Sequence, residues 1–166
     1  MATLTILAPG RCLPEDIKKY GVVGDVMAVN QVIADYSGPI KYAVCWWDEY
    51  LKLLLDLRKL RNRNVEDITT FTRPISGKFP INNSGLLALD TANALQSYDC
   101  VRVLGMPVDD SGHYFDVDVE KEQESFFPRR FFFNCETEWA QELTSWRDKF
   151  SVSSGNLLRY FKQLVC

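Results

Sequence analysis

Apolar residues alternate in some stretches of this chain and recur at helical spacing in others, and the change of spacing predicts its elements. The run TLTILAP (Thr3–Pro9) predicts a first strand. Pro14, Glu15 and Asp16 read as the opening turn of a helix, with the proline where no N–H is needed and the acids at the positive end. Gly21 and Gly24 end it. Val26, Val29, Ile33 and Tyr36 then repeat at helical spacing until Ser37-Gly38-Pro39, which predicts a second helix. Two patterns compete between Lys41 and Arg63. KYAVCWW alternates like a strand, whereas Val44, Trp47, Leu51, Leu54 and Arg58 share a helical stripe. The longer stripe favours a helix starting near Tyr42.

Further along, ITTFTRPI and GKFPI read as short strands whose prolines mark sheet edges. Ser84 is expected to cap a helix running to Ser97, and CVRVLGM to form a strand. HYFDVDVE alternates over a whole strand, and RRFFFNCE can return beside it as the second arm of a hairpin. Thr137 opens a helix that carries Trp139, Leu143, Trp146 and Phe150, and after SVSSGN a last helix carries Leu157, Leu158, Phe161, Leu164 and Val165. Strands and helices are segregated in the second half. The expectation is an α+β fold, one globular domain over residues 1–166, with a largely antiparallel sheet packed by helices and a C-terminal helical pair.

Composition narrows the function classes. Hydrophobic residues at 46% and charged residues at 25% fit a folded chain rather than a disordered one. A net charge of −3 argues against general nucleic-acid binding but leaves room for a local basic patch. The acidity is concentrated: between Asp109 and Glu124 seven acids face Lys121 alone. The five cysteines (Cys12, Cys45, Cys100, Cys135, Cys166) include no CxxC pair, and His113 is the single histidine, which disfavours a structural zinc site. There is no basic-then-apolar leader and no apolar run long enough to cross a bilayer, so reduced thiols in a cytoplasmic or nuclear setting are expected.

Four groups of residues carry candidate chemistry. On a strand over 113–120, Tyr114, Asp116, Asp118 and Glu120 share one face, which suits a hard cation, an acidic docking patch or simply solvent. Arg129 and Arg130 can clamp an anionic group or pair across the hairpin, and Phe126, Phe127, Phe131, Phe132 and Phe133 cannot all point into one core. The cluster Arg58, Lys59, Arg61 and Arg63 can complement a helix terminus or contact phosphates, with Trp46 or Trp47 as stacking surfaces. His113, oriented by Asp109 or Asp110 and approached by Cys100 or Cys135, would make a nucleophile system, although no flanking signature supports one. GVVGDV lacks both the P-loop lysine and the third glycine of a dinucleotide fingerprint.

The sequence therefore points to a non-enzymatic domain that binds another protein and needs no cofactor. Tyr114, Phe115, Asp116, Asp118, Phe126, Phe127 and Arg129 are the expected contact residues. An accessory factor encoded by a virus or pathogen and acting on host machinery fits that description, as does pairing of two copies through an aromatic edge. The rivals are an RNA- or DNA-binding protein using Arg58, Lys59, Arg61, Arg63, Trp46 and Trp47, and a small metal-dependent hydrolase or nuclease around His113, Asp116 and Asp118.

Overall fold

The computed structural model describes residues 1–76, 83–108, 113–115 and 140–165. These form β1 (Thr3–Leu7), α1 (Leu13–Tyr20), β2 (Asp25–Val29), α2 (Val32–Asp35), β3 (Tyr42–Val44), α3 (Asp48–Leu60), β4 (Thr69–Phe71), α4 (Ser84–Ala94) and β5 (Cys100–Leu104). A helical segment over residues 140–145 follows, then β6 (Phe150–Val152), a 3-10 turn (Asn156–Arg159) and β7 (Lys162–Gln163). The strands make one sheet in the order β4-β3-β2-β1-β5-β6-β7, and each neighbouring pair is parallel.

This overturns the expected antiparallel sheet: the architecture is of the α/β type. The reason lies in how a parallel sheet is buried. Helices cover both of its faces, so its strands read as continuous apolar runs rather than alternating ones. On one face α1, α2 and α3 pack on Val26, Ala28, Ala43 and Leu104. On the other, α4, Leu143 and Trp146 pack on Ile6, Met27, Val29, Val44 and Val103.

That division explains why helical spacing misled. Val26 and Ile33 lie in one core layer and Val29 in the other, because β2 ends at Val29 and the chain turns at Asn30 (φ 51°) before α2. No single helix joins them. Likewise Val44 ends a strand on the α4 side, while Leu51 and Leu54 of α3 face the opposite layer. The segment from Lys41 to Arg63 is thus both elements in series, strand then helix.

The C-terminal helical pair is also corrected. After residues 140–145 the chain enters β6, makes the 3-10 turn and ends in β7. Leu157 and Phe161 still reach the core, and the Phe161 ring stacks on Phe150 at 5.1 Å between centroids. Leu164 belongs to the other layer, and Leu158 and Val165 are exposed. The strand expected at GKFPI and the hairpin over HYFDVDVE and RRFFFNCE lie outside the described residues, apart from His113–Phe115.

Candidate functional site at the carboxyl edge of the sheet

A chain that winds outward from β1 to β4 and then returns beside β1 as β5 creates a switch point, with α1 after β1 and the helical segment over 140–145 after β5 on opposite faces. In open parallel sheets, ligands bind beyond the carboxyl ends of the strands at such a point. The loops there are tightly joined. Ala8 and Gly10 donate their N–H groups to Leu104 O and Gly105 O (3.0 and 2.8 Å), Gly10 forms an antiparallel bridge with His113, and Tyr114 N–H donates to Pro9 O. Asn156 ties the loop after β6 to the one after β5 through Pro107 O (2.8 Å) and Val108 O (2.6 Å).

Beside this junction, over β2 and β3, lies the start of α4. Asn83 is its N-cap, accepting Leu86 N–H at 2.8 Å. Buried Ser84 accepts the Trp46 N–H at 3.0 Å, which fixes the loop after β3 to the helix terminus. Gly85 faces the Met106 thioether, 3.6 Å from where a Cβ would stand. Asp90, buried one turn and a half further on, accepts the Ser76 hydroxyl and the N–H groups of Ile75 and Ser76, holding the segment after β4 against the helix.

The electrostatics of this terminus stand apart. A helix N-terminus carries roughly half a positive charge. In α1 it is met by Glu15 and Asp16, in α2 by Asp35 and in α3 by Asp48 and Glu49, but α4 has no acid in its first turn. Two further features share this edge. The half-buried Trp46 ring lies under the Arg73 guanidinium at 5.9 Å, and Arg73 meets Asp48 only in an exposed pair at 3.3 Å. Such a pair contributes little, and Arg73 also donates to Thr72 O at 2.7 Å and Trp46 O at 3.3 Å. Asn30, at the end of β2, keeps its Oδ1 shielded from solvent with no hydrogen-bond partner among the described residues. The other such atom, Thr91 Oγ1, lies two turns down α4 from its start.

The residues singled out from sequence are dispersed. Arg58 is 1% exposed and donates to the carbonyls of Ile33, Tyr36, Gly38 and Asn64 at 2.6–3.2 Å. Arg61 and Arg63 donate to Ala34 O, and Arg61 also pairs with Asp35. They therefore cap α2 rather than the helix that carries them, leaving Lys59 exposed. Trp46 and Trp47 stand at the opposite end of α3, about 20 Å away at 1.5 Å per residue. His113 is exposed at the carboxyl edge and stacks on Phe115 at 5.0 Å, whereas Cys100 opens β5 at the amino edge. No Cys100–His113 pair forms.

Tyr114 donates its hydroxyl to Asp35 at 2.6 Å and lines an apolar groove of about 320 Å³ between α1 and α2, with Leu13, Ile17, Val32 and Tyr36. Phe115 is 44% exposed. Asp116, Asp118, Phe126, Phe127 and Arg129 lie outside the described residues, as do Glu120, Arg130, Phe131, Phe132, Phe133 and Cys135. Among the described residues no three His, Cys, Asp or Glu side chains gather as for a metal, and no helix is long and apolar enough to cross a membrane.

Sequence reasoning missed Asn30, Arg73 and the α4 terminus. The available signal was Asn83-Ser84-Gly85 opening a helix with no acid in its first turn. Comparison with protein-family models, curated proteins and solved structures finds no match to this chain.

Proposed function

We propose that the chain binds a small ligand carrying one anionic group, a phosphate or carboxylate, at the start of α4. The observation that carries this reading is the N-terminus of α4, which has no acid in its first turn, at the carboxyl edge of a doubly wound parallel sheet. Arg73 adds a positive charge within reach of that edge, the Trp46 ring offers a flat apolar surface, and Asn30 Oδ1 has no donor among the described residues. A ligand with an anionic end, a planar part and an N–H or O–H group would answer all of these.

Calorimetric titration with inorganic phosphate and a set of nucleoside monophosphates tests the reading. Binding is expected, and Arg73→Ala should weaken it about tenfold, the loss of one charge-assisted contact of roughly 1.4 kcal/mol. Absence of heat with every one of these probes would overturn it. A second reading, capture of a protein partner by the aromatic segment, rests on the exposed Phe115 ring stacked on His113. Phe115→Ser should then abolish partner capture in a pull-down while leaving unfolding cooperative, and undiminished capture would sink it.

A further inference from the structure

Asp16 stands where a doubly wound sheet receives an anion from outside. An anion entering between β1 and β5 would meet the first turn of a helix and the backbone N–H groups just past the strand ends. In this chain those groups are met from within. Asp16, in the first turn of α1 and 7% exposed, accepts the Gly105 N–H at 2.9 Å and the Ser153 hydroxyl at 2.5 Å. It thereby links α1 to the loops after β5 and β6.

The surrounding chain leaves little room beside it. A Cβ on Gly10 would stand 2.4 Å from Gly105 O, and one on Gly155 2.1 Å from Pro107 O. Cys12, one turn before Asp16, receives the Ser154 hydroxyl at 3.9 Å. Burial, reinforced by the Asp16 carboxylate, pushes the Cys12 thiol up to about 12, so this sulfur stays protonated and offers no nucleophile.

Resting on the ligand-binding reading above, we infer that Asp16 is the specificity-determining residue of the carboxyl edge. Its carboxylate is a built-in anion that fills the switch point. The edge therefore accepts a ligand whose single anionic group goes to α4, and it rejects a dinucleotide whose pyrophosphate has to enter between β1 and β5. Like charge and occupied donors act together in that rejection.

Backbone amide NMR separates the two places, with Gly85 reporting α4 and Gly105 reporting the switch point. In the wild type, inorganic phosphate should move Gly85 and leave Gly105 in place, and NAD should leave Gly105 in place too. In Asp16→Ala, formate should occupy the vacated position. The Gly105 amide then shifts saturably, with affinity roughly tenfold or more above the wild type, and the melting temperature rises where equal chloride has no effect. Movement of Gly105 by phosphate or NAD in the wild type overturns the inference, as does a Gly105 amide in Asp16→Ala that ignores formate. If Asp16→Ala does not fold alone, recovery by formate but not chloride supports the inference and failure to recover overturns it. Phosphate that leaves Gly85 unmoved in the wild type strikes the α4 reading instead, and the formate result still decides the role of Asp16.

Discussion

The two edges of the parallel sheet are finished differently. At the amino edge, where helices end, the chain supplies its own cations. Arg102 donates to Tyr20 O and Gly21 O at the end of α1, and Arg58, Arg61 and Arg63 hold the carbonyls at the end of α2. Lys149 reaches Ala92, Asn93 and Leu95 at the end of α4. Asp25, Lys41, Tyr42 and Tyr98 close a further network there, the Tyr98 hydroxyl lying 2.6 Å from Asp25 and 3.0 Å from the Tyr42 hydroxyl. At the carboxyl edge, where helices begin, acids stand in the first turns of α1 and α3, while the first turn of α4 holds none and its cap is the neutral Asn83. Negative helix ends are thus completed internally, and one positive end has no acid in its first turn. Departures from local consistency concentrate at functional places, and this one sits at the edge where open parallel sheets bind ligands.

The largest expected effect breaks the finished side. Arg58→Met strips partners from the carbonyls of Ile33, Tyr36, Gly38 and Asn64. Each buried carbonyl left without its donor costs about 1–3 kcal/mol, and denaturant unfolding should show a loss of about 3 kcal/mol or more. A loss under about 1 kcal/mol, the level of an exposed ion pair, would mean that the clamp on α2 is incidental. Lys149→Met should cost less, about 1–2 kcal/mol, because water can reach part of the α4 terminus that it caps. An unchanged midpoint would remove Lys149 from the comparison.

Proton linkage sharpens the same contrast. Hydrogen bonds from Lys41 and then Tyr98 hold Asp25 below the usual carboxylate range. Burial works against ionisation of Asp35, but hydrogen bonds from Tyr114, Arg61 and Gln31 outweigh it and lower that group too. Their contribution to stability is present above the unfolded value of about 3.9 and is lost as pH falls through the lower folded values. Burial, then hydrogen bonding to Asp25 and Tyr42, raises Tyr98, and burial with the Asp35 contact raises Tyr114. Their contribution is complete below about pH 10 and is lost as pH rises above it. Stability should be flat from about pH 5 to 9 and fall on both sides, with Tyr114→Phe flattening part of each fall. An unchanged pH profile in that variant would show that the Tyr114–Asp35 contact carries no linkage.

How legible this was in the sequence depended on scale. β1, the first turn of α1 and β5 were readable because each is marked by local chemistry, a β-branched run or a proline with acids, and the start of α4 was readable to within one residue, its cap being Asn83 rather than the expected Ser84. The parallel sheet was not. Val26, Val29 and Ile33 have helical spacing across a strand, a turn and a helix, and only the two-sided burial of β2 separates them. The basic cluster was legible as a helix-terminus device, yet the terminus it serves is that of α2, contacted across 20 to 29 positions of sequence that no local pattern encodes. Asp16 was legible as a first-turn acid, but its bond to Ser153 spans 137 positions.

The smallest effect on stability decides most about the open end. Gly85→Asp places a carboxylate in the first turn of α4, where a Cβ would meet only Asn83 Oδ1 at 3.2 Å and the Met106 side chain beyond 3.5 Å. An acid there should stabilise the helix by about 0.3–1 kcal/mol, and removing a helical glycine adds a similar amount. If the α4 terminus is left open for a ligand, the same substitution should weaken phosphate binding at least about tenfold, because it supplies internally what the ligand would bring. Gain of stability with loss of binding is the signature of a position kept suboptimal for function. Gain of stability with binding unchanged would instead make α4 an ordinary helix with a neutral cap and reduce the difference between the two edges to chance.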